Sequence, residues 1–236
     1  MMEQRTDGVI ICSSSFSAEQ GRQLLSYGFP VVAVNHQAAE NFHYSIYHDD
    51  VDGSRQITQH LIALGHRKIA YLGNARSGRT TMDRLSGFTQ AMQAAGLEVR
   101  QEYIYHVQGG DPALGADSVA YFQQLAVRPT AIVCFNDTLA IGVLKGCNEA
   151  GIQVPGDLSV TGFDNITYSA FTSPALTTFD QPKYSIGEEA ANLLLDLLHT
   201  KDDGHEEAER VKVLQGKLLV RASTAAPRPD SQDIHE

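Results

Sequence analysis

Cysteine is scarce and scattered. Cys12, Cys134 and Cys147 are the only three, their number is odd, and no CxxC occurs. Neither a zinc ribbon nor a disulfide framework is supported. Cys134 lies in the apolar run AIVCF, where a small buried hydrophobe is the expected reading. Unpaired thiols of this kind suit a reducing cytosol, and a cytoplasmic location is expected. No apolar run approaches the roughly 20 residues that would span a bilayer. Glu3, Arg5 and Asp7 precede any apolar stretch, so no secretory leader is expected. Positive charge is also short. Eighteen Lys and Arg stand against 28 Asp and Glu, a net charge of -10. A chain that grips nucleic acid is usually basic on one face. This chain by itself is a poor candidate for DNA contact, and equally poor for an anionic membrane surface. HExxH, GxGxxG and GxSxG are all missing. His60 and His66 have five residues between them, which is no standard zinc spacing. His66 is expected to serve the end of its helix. No metal and no cofactor is expected.

What is present is a soluble globular pattern. The 236 residues are 42% apolar and 19% charged, too apolar for global disorder and ample for a real core. Short β-rich runs alternate with longer helical patterns. Strands are expected at 8–12, 30–35, 68–73, 103–107, 130–135, 157–163 and 176–180. Helices are expected at 18–28, from 51 to about 66, and at 81–96, 112–125, 137–150 and 185–199, several stopped by a glycine. The strands are apolar on both faces, which is how a parallel sheet covered by helices reads. The fold class is doubly wound α/β. VKVLQGKLLVRAS at 211–223 carries one or two further strands. The last residues, TAAPRPDSQDIHE, have almost no bulky apolar side chain and read as a disordered tail.

Open α/β sheets bind ligands at the carboxyl ends of their strands. Ser13, Ser14 and Ser15 follow the first strand, and Asn35 and His36 the second. Asn74, Ala75 and Arg76 follow the third, with Thr80 and Arg84 near the start of the next helix. Gly109, Gly110 and Asp111 come after 103–107, Asn136 and Asp137 after 130–135, and Asp164 and Asn165 after 157–163. Hydroxyls, amides, carboxylates and one Arg suit a neutral polyhydroxylated ligand, because Asp and Asn accept from hydroxyls and Arg donates in a planar fork. Plainer roles compete: Asp137 directly precedes a helix, where capping is its expected job, and Asn136 and Asp164 could serve turns. Arg84 sits early in a helix, where the dipole disfavours a cation, and that small cost points to a function.

One enzyme pattern is present. Gly73 to Thr80 reads GNARSGRT, the P-loop spacing with Arg where Lys belongs. Arg is not an equivalent of the compact ammonium that reaches the phosphates. A P-loop phosphotransferase is therefore a minor alternative.

Larger blocks point elsewhere. RTDGVIICSS, HLIALGHRKIAYLG, RLSGFTQAMQAAGL, PTAIVCFNDTLAIGVLKGCNEAGIQVPGDLSVTGFDNI, SPALTTFDQP and LLVRAST resemble, in order and spacing, the ligand-sensing core of LacI/GalR-type bacterial transcription regulators. The resemblance runs from Thr6 to about Thr224. It implies a two-lobed, periplasmic-binding-protein-like fold, each lobe a doubly wound, mostly parallel sheet. One lobe would hold 1–47 plus 181–208, the other 49–178 plus 211–224, with 225–236 as the tail. Hinge crossings would lie near Tyr47–Asp49, Thr178–Gln181 and Arg210.

The resemblance also implies roles. Arg84 matches the family's effector-contacting arginine, Asn136 the Asn of its ND pair, and Asp164 the Asp of its GFD block, which accepts from the ligand. Thr80 matches a frequent helper. Cys12, Ser13, Asn35 and Pro112 fall where residues vary with the effector. Many sugar-binding members place an aromatic platform at the position of Pro112, and Phe163 or a Tyr is the remaining candidate here. The family's DNA-reading headpiece and first strand–helix units have no counterpart ahead of Met1, so an incomplete amino-terminal lobe is expected, with the run 9–12 at a sheet edge. The implied function is not enzymatic. It is sensing of a small effector, with a sugar the expected class, by lobe closure in a homodimer. Operator DNA would be bound through the headpiece only, and no membrane is involved. The alternative is a free-standing sugar-binding protein of a transporter.

Overall fold

The computed structural model describes residues 6–12, 18–34, 42–199 and 210–228. In chain order the elements are β1 (Val9–Cys12), α1 (Ala18–Leu25), β2 (Val31–Val34), β3 (Tyr44–His48), α2 (Asp50–Ala63), β4 (Ile69–Asn74), α3 (Gly78–Ala94), β5 (Ile104–Val107), α4 (Pro112–Gln124), β6 (Ala131–Cys134), α5 (Asp137–Glu149), β7 (Ser159–Phe163), β8 (Thr177–Asp180), α6 (Lys183–His199), β9 (Arg210–Leu214) and β10 (Lys217–Leu219). Two compact units form, Met1–Asp49 with Pro182–Gln215 and Asp50–Gln181 with Gly216–Glu236.

The first unit carries a four-stranded parallel sheet in the order β1-β2-β3-β9. Alternation along β2 explains its two faces. Val32 and Val34 join Tyr44 and Ile46 under Ile186 and Ala190 of α6. Val31 and Ala33 turn the other way, toward Ile11, Phe42 and the partly buried Leu24 and Leu25 of α1. Apolar side chains are needed on both faces because both are covered.

The second unit has six strands in the order β10-β8-β7-β6-β4-β5, parallel except for β10. Period 2 again sorts the core. Ala70, Leu72, Ile132 and Cys134 pack with Val119 and Phe122 of α4 and Leu139, Val143 and Cys147 of α5. Ile69, Tyr71, Ala131 and Val133 pack with Ile57 and Leu61 of α2 and Phe88 and Met92 of α3. Burial raises the pKa of both core thiols, that of Cys147 to about 12, so they behave as the small hydrophobes expected of them.

Two expectations need correction. β9 pairs with β3, Arg210 to Tyr44 through Leu214 to His48, so residues 211–214 belong to the first unit. The chain passes to the second unit at Gly216, where an added Cβ would lie 2.4 Å from the Phe179 ring and 2.6 Å from the Asp180 carbonyl oxygen. Only glycine fits so close a pass beside β8. The segment 225–228 is tied down rather than loose. Ala225 donates from its amide to Ser159 Oγ at 3.1 Å and accepts from His66 Nε2 at 2.8 Å. Arg228 pairs with Asp157 and donates to Gln153 Oε1 at 3.0 Å. Backbone bonds and one charge supply what its side-chain composition lacks; 229–236 lie outside the described residues. His66 serves the helix end through its amide, which donates to Leu61 O at 3.1 Å beside the Gly65 amide on Ile62 O at 3.0 Å, and Arg67 adds a side-chain bond to Ile62 O at 3.0 Å. The buried His66 ring bridges Thr130 Oγ1 at 2.8 Å, Ser159 and Ala225. A carbonyl accepting at Nε2 makes Nδ1 the acceptor in the neutral ring. Burial holds the ring's pKa below its ordinary value, partly offset by the Ala225 bond.

Candidate functional site

In the second unit β4 is followed by β5 on one side and β6 on the other. The strand order therefore reverses between β4 and β6, and the carboxyl edge at such a switch point is where open α/β sheets take ligands. Asn74 ends β4, Gly110 follows β5, Asn136 follows β6, Asp164 follows β7 and Gln181 follows β8. A Cβ added to Gly110 would lie 3.1 Å from Asn136 Nδ2 and 3.6 Å from Asn74 Nδ2, so these three residues meet at the edge.

Arg84 is the centre of the arrangement. It enters from the second turn of α3 and is only 5% exposed. Its Nε donates to Asp50 Oδ1 at 2.7 Å, its Nη1 to the Phe135 carbonyl at 2.6 Å, and its Nη2 lies 3.4 Å from Asp164 Oδ1. The guanidinium carbon sits 3.7 Å above the Phe163 ring centre and 4.6 Å from that of Phe135. Burial works against the charge, but Asp50 and Asp164 outweigh it and hold the guanidinium pKa above its ordinary value. Two carboxylates around one cation leave the cluster one negative charge in excess. A site of that sign suits ligand groups that donate hydrogen bonds better than anions.

Asp164 and Asn165 adopt left-handed backbone, with φ of 110° and 49°. Such conformations cost on the order of 1–3 kcal/mol each and persist where the surroundings over-determine them. The turn places the Asp164 carboxylate beside Arg84 and within reach of the Gln181 amide, which donates to it.

Other expected positions fall differently. Thr80 lies half-buried in the first turn of α3, while its neighbour Thr81 is buried and donates to Asn74 O. Pro112 opens α4, exposed, behind the Asp111 cap. Cys12 ends β1 in the first unit and is exposed; Ser13 and Asn35 lie outside the described residues. Phe163 is not a platform for a ring. It is 1% exposed, with Arg84 above it and Phe179 at 4.9 Å; it supports the arginine instead. Asn136, not Asp137, caps α5, accepting from Leu139 N at 2.9 Å. The GNARSGRT segment uses its own amides: Ala75 N donates to Val107 O, Arg76 N to Asn74 Oδ1 and Ser77 N to Asn74 O. A phosphate cradle needs such amides open. Among the described residues no group of three His, Cys, Asp or Glu is placed to hold a metal ion, and no helix is long and apolar enough to cross a membrane.

Comparison with known proteins agrees with this fold. The Periplasmic binding protein-like domain matches residues 58–224. The HTH-type transcriptional repressor PurR of Actinobacillus pleuropneumoniae serotype 3 is 36% identical over 198 residues, 83% of this chain and 58% of that protein. The chain thus spans little more than half of that relative's length. A regulatory protein of the LacI family from Chloroflexus aggregans superposes with a TM-score of 0.82 at 32% identity, covering 93% of this chain and 77% of that one. A LacI family transcriptional regulator from Enterococcus faecium with bound ribose superposes with a TM-score of 0.78 at 27% identity, covering 93% and 80%. The chain belongs to the periplasmic-binding-protein-like domain family, within the LacI family of regulators.

Proposed function

We propose that this chain is the effector-binding core of a transcription regulator and that its effector is a small polyhydroxylated molecule, a sugar being the expected class. The observation that carries the reading is the Arg84 cluster at the switch point, flanked by Asn74, Asn136 and Gln181. The ribose bound by the E. faecium relative is consistent with it. DNA binding would belong to a helix-turn-helix part of the kind for which the PurR relatives are named. A net charge of -10 argues against phosphate contact as the role of this segment.

Asp164→Ala should weaken effector binding about a hundredfold or more, since two charge-assisted hydrogen bonds at about 1.5–3 kcal/mol each are lost. Calorimetry against a panel of sugars and purines tests this. Unchanged affinity in the variant would remove Asp164 from the site; purine binding without sugar binding would overturn the sugar class.

A second copy of the chain is the expected partner. Tyr168 and Phe171 stand 74% and 80% exposed on and beside a short 3-10 turn, Thr167–Ala170. Paired exposed aromatics of this kind are typical of the buried centre of interfaces. Phe171→Glu should therefore turn a dimer into a monomer by light scattering. A chain that is monomeric before the change would rule this surface out.

A further inference from the structure

We propose that Asp137 is a positioning residue of the effector site, its carboxylate holding the left-handed Asp164–Asn165 turn from beneath. The inference rests on the reading of Asp164 as an effector contact. Asp137 opens α5 yet is fully buried, and it bonds away from its own helix. Its Oδ2 accepts from the Ile166 amide at 2.8 Å, and its Oδ1 from the Thr178 hydroxyl at 2.5 Å. An ionised carboxylate only accepts, so the Thr178 proton points at Asp137. That leaves the Thr178 lone pairs for the Asn165 amide, which donates to them at 3.3 Å. Three consecutive amides of the turn are thus anchored: Asp164 on Phe179 O at 3.0 Å, Asn165 on Thr178, and Ile166 on Asp137. Asp137 holds the third directly and the second through Thr178.

The position is tight as well as polar. A Cβ on Gly162 would lie 2.2 Å from Asp137 Oδ1, so the carboxylate occupies the space that a side chain on β7 would need. The Asn165 side chain is fixed independently. It donates to Asp180 Oδ1 at 2.9 Å and accepts from Arg221 Nη2 at 2.7 Å. Loss of Asp137 therefore loosens the backbone that aims Asp164 while the outer bonds remain. Burial lifts the Asp137 pKa to about 6, opposed by its bonds to Thr178 and Ile166. A site under that pressure would more readily hold an apolar residue if packing were the only need.

Amide hydrogen exchange read by NMR on the whole chain tests this without any ligand. Asp137→Ala should speed exchange at Ile166 about tenfold, the loss of one net hydrogen bond, and at Asn165 by a smaller factor, because Thr178 stays but is no longer held by Asp137. Thr178→Val should do so at Asn165 alone. Asp137→Asn, which keeps an acceptor for Ile166 and a donor for Thr178, should restore protection at both. Uniform acceleration across the second unit, or unchanged exchange at Ile166 in Asp137→Ala, would overturn the proposal. A second arm uses D-ribose in calorimetry. Asp137→Ala should bind it at least about tenfold more weakly and Asp137→Asn close to normally. Weakening by Asp164→Ala but not by Asp137→Ala would sink the positioning role and spare the site. A chain that ignores D-ribose counts against the sugar reading, and the exchange pattern then decides the role of Asp137.

Discussion

Replacing Arg84 with Met is expected to lower the stability of the second unit by about 3–5 kcal/mol, because one partner of a buried ion pair is removed while the others stay. The guanidinium joins three elements at once: Asp50 at the start of α2, the carbonyl that follows β6, and Asp164 after β7. Met fills most of the volume and keeps contact with the ring of Phe163. What it cannot do is neutralise Asp50 and Asp164, or satisfy the Phe135 carbonyl. Lysine should recover only part of the loss, since an ammonium cannot fork to a carboxylate and a carbonyl while lying flat on a ring. Urea denaturation is the measurement. The diagnostic comparison is Asp50→Asn/Arg84→Met: removing the stranded charge should return a good part of the stability lost in the single variant. A single variant within about 1 kcal/mol of the parent would mean that the pair is solvated and worth little.

The same cluster shows what could be read from the chain. The β–α alternation and the apolar faces of 31–34, 69–72 and 131–134 are local patterns, and the sheet follows from them. The polar residues at the strand ends could be named in advance because each follows an apolar run. The Asp50–Arg84 bond spans 34 positions, and nothing local marks Asp50 apart from its neighbours Asp49 and Asp52. Gln181 gave no signal beyond standing next to a strand. The role of Phe163 depends on which face of β7 it occupies, and its burial against Phe179 was decided by tertiary packing. Asn136 and Asp137 are both good capping residues. Thr178, 41 positions away, settles which of them caps and which turns inward. β9 was ambiguous for a related reason. RVKVL alternates polar and apolar side chains, so either sheet could have taken it, and its pairing with β3 is a long-range choice.

Gly142→Ala should be among the most damaging small changes in the chain, costing about 3 kcal/mol even after the gain of about 1 kcal/mol that alanine brings to a helix. A Cβ there would stand 1.9 Å from the Pro112 carbonyl oxygen and 3.0 Å from the Ala116 nitrogen. The crossing is closed from both sides, since Gly115 would meet Leu139 O at 2.2 Å and Gly146 would meet Ala116 O at 2.6 Å. These are backbone atoms of α4 and α5, and a rotamer change cannot move them away. The helices must separate by more than an ångström, and the Phe122, Val143 and Cys147 layer between them and the sheet loosens with them. The site feels the shift, because Pro112 opens α4 and Asn136 caps α5. Gly187 in α6 is the control: nothing lies within 4 Å of its added Cβ, so Gly187→Ala should stabilise its helix by up to about 1 kcal/mol. Thermal unfolding of the two variants should therefore move in opposite directions. A Gly142→Ala chain that melts with the parent would show that α4 and α5 are not in backbone contact, and the placement of Pro112 and Asn136 would fall with it.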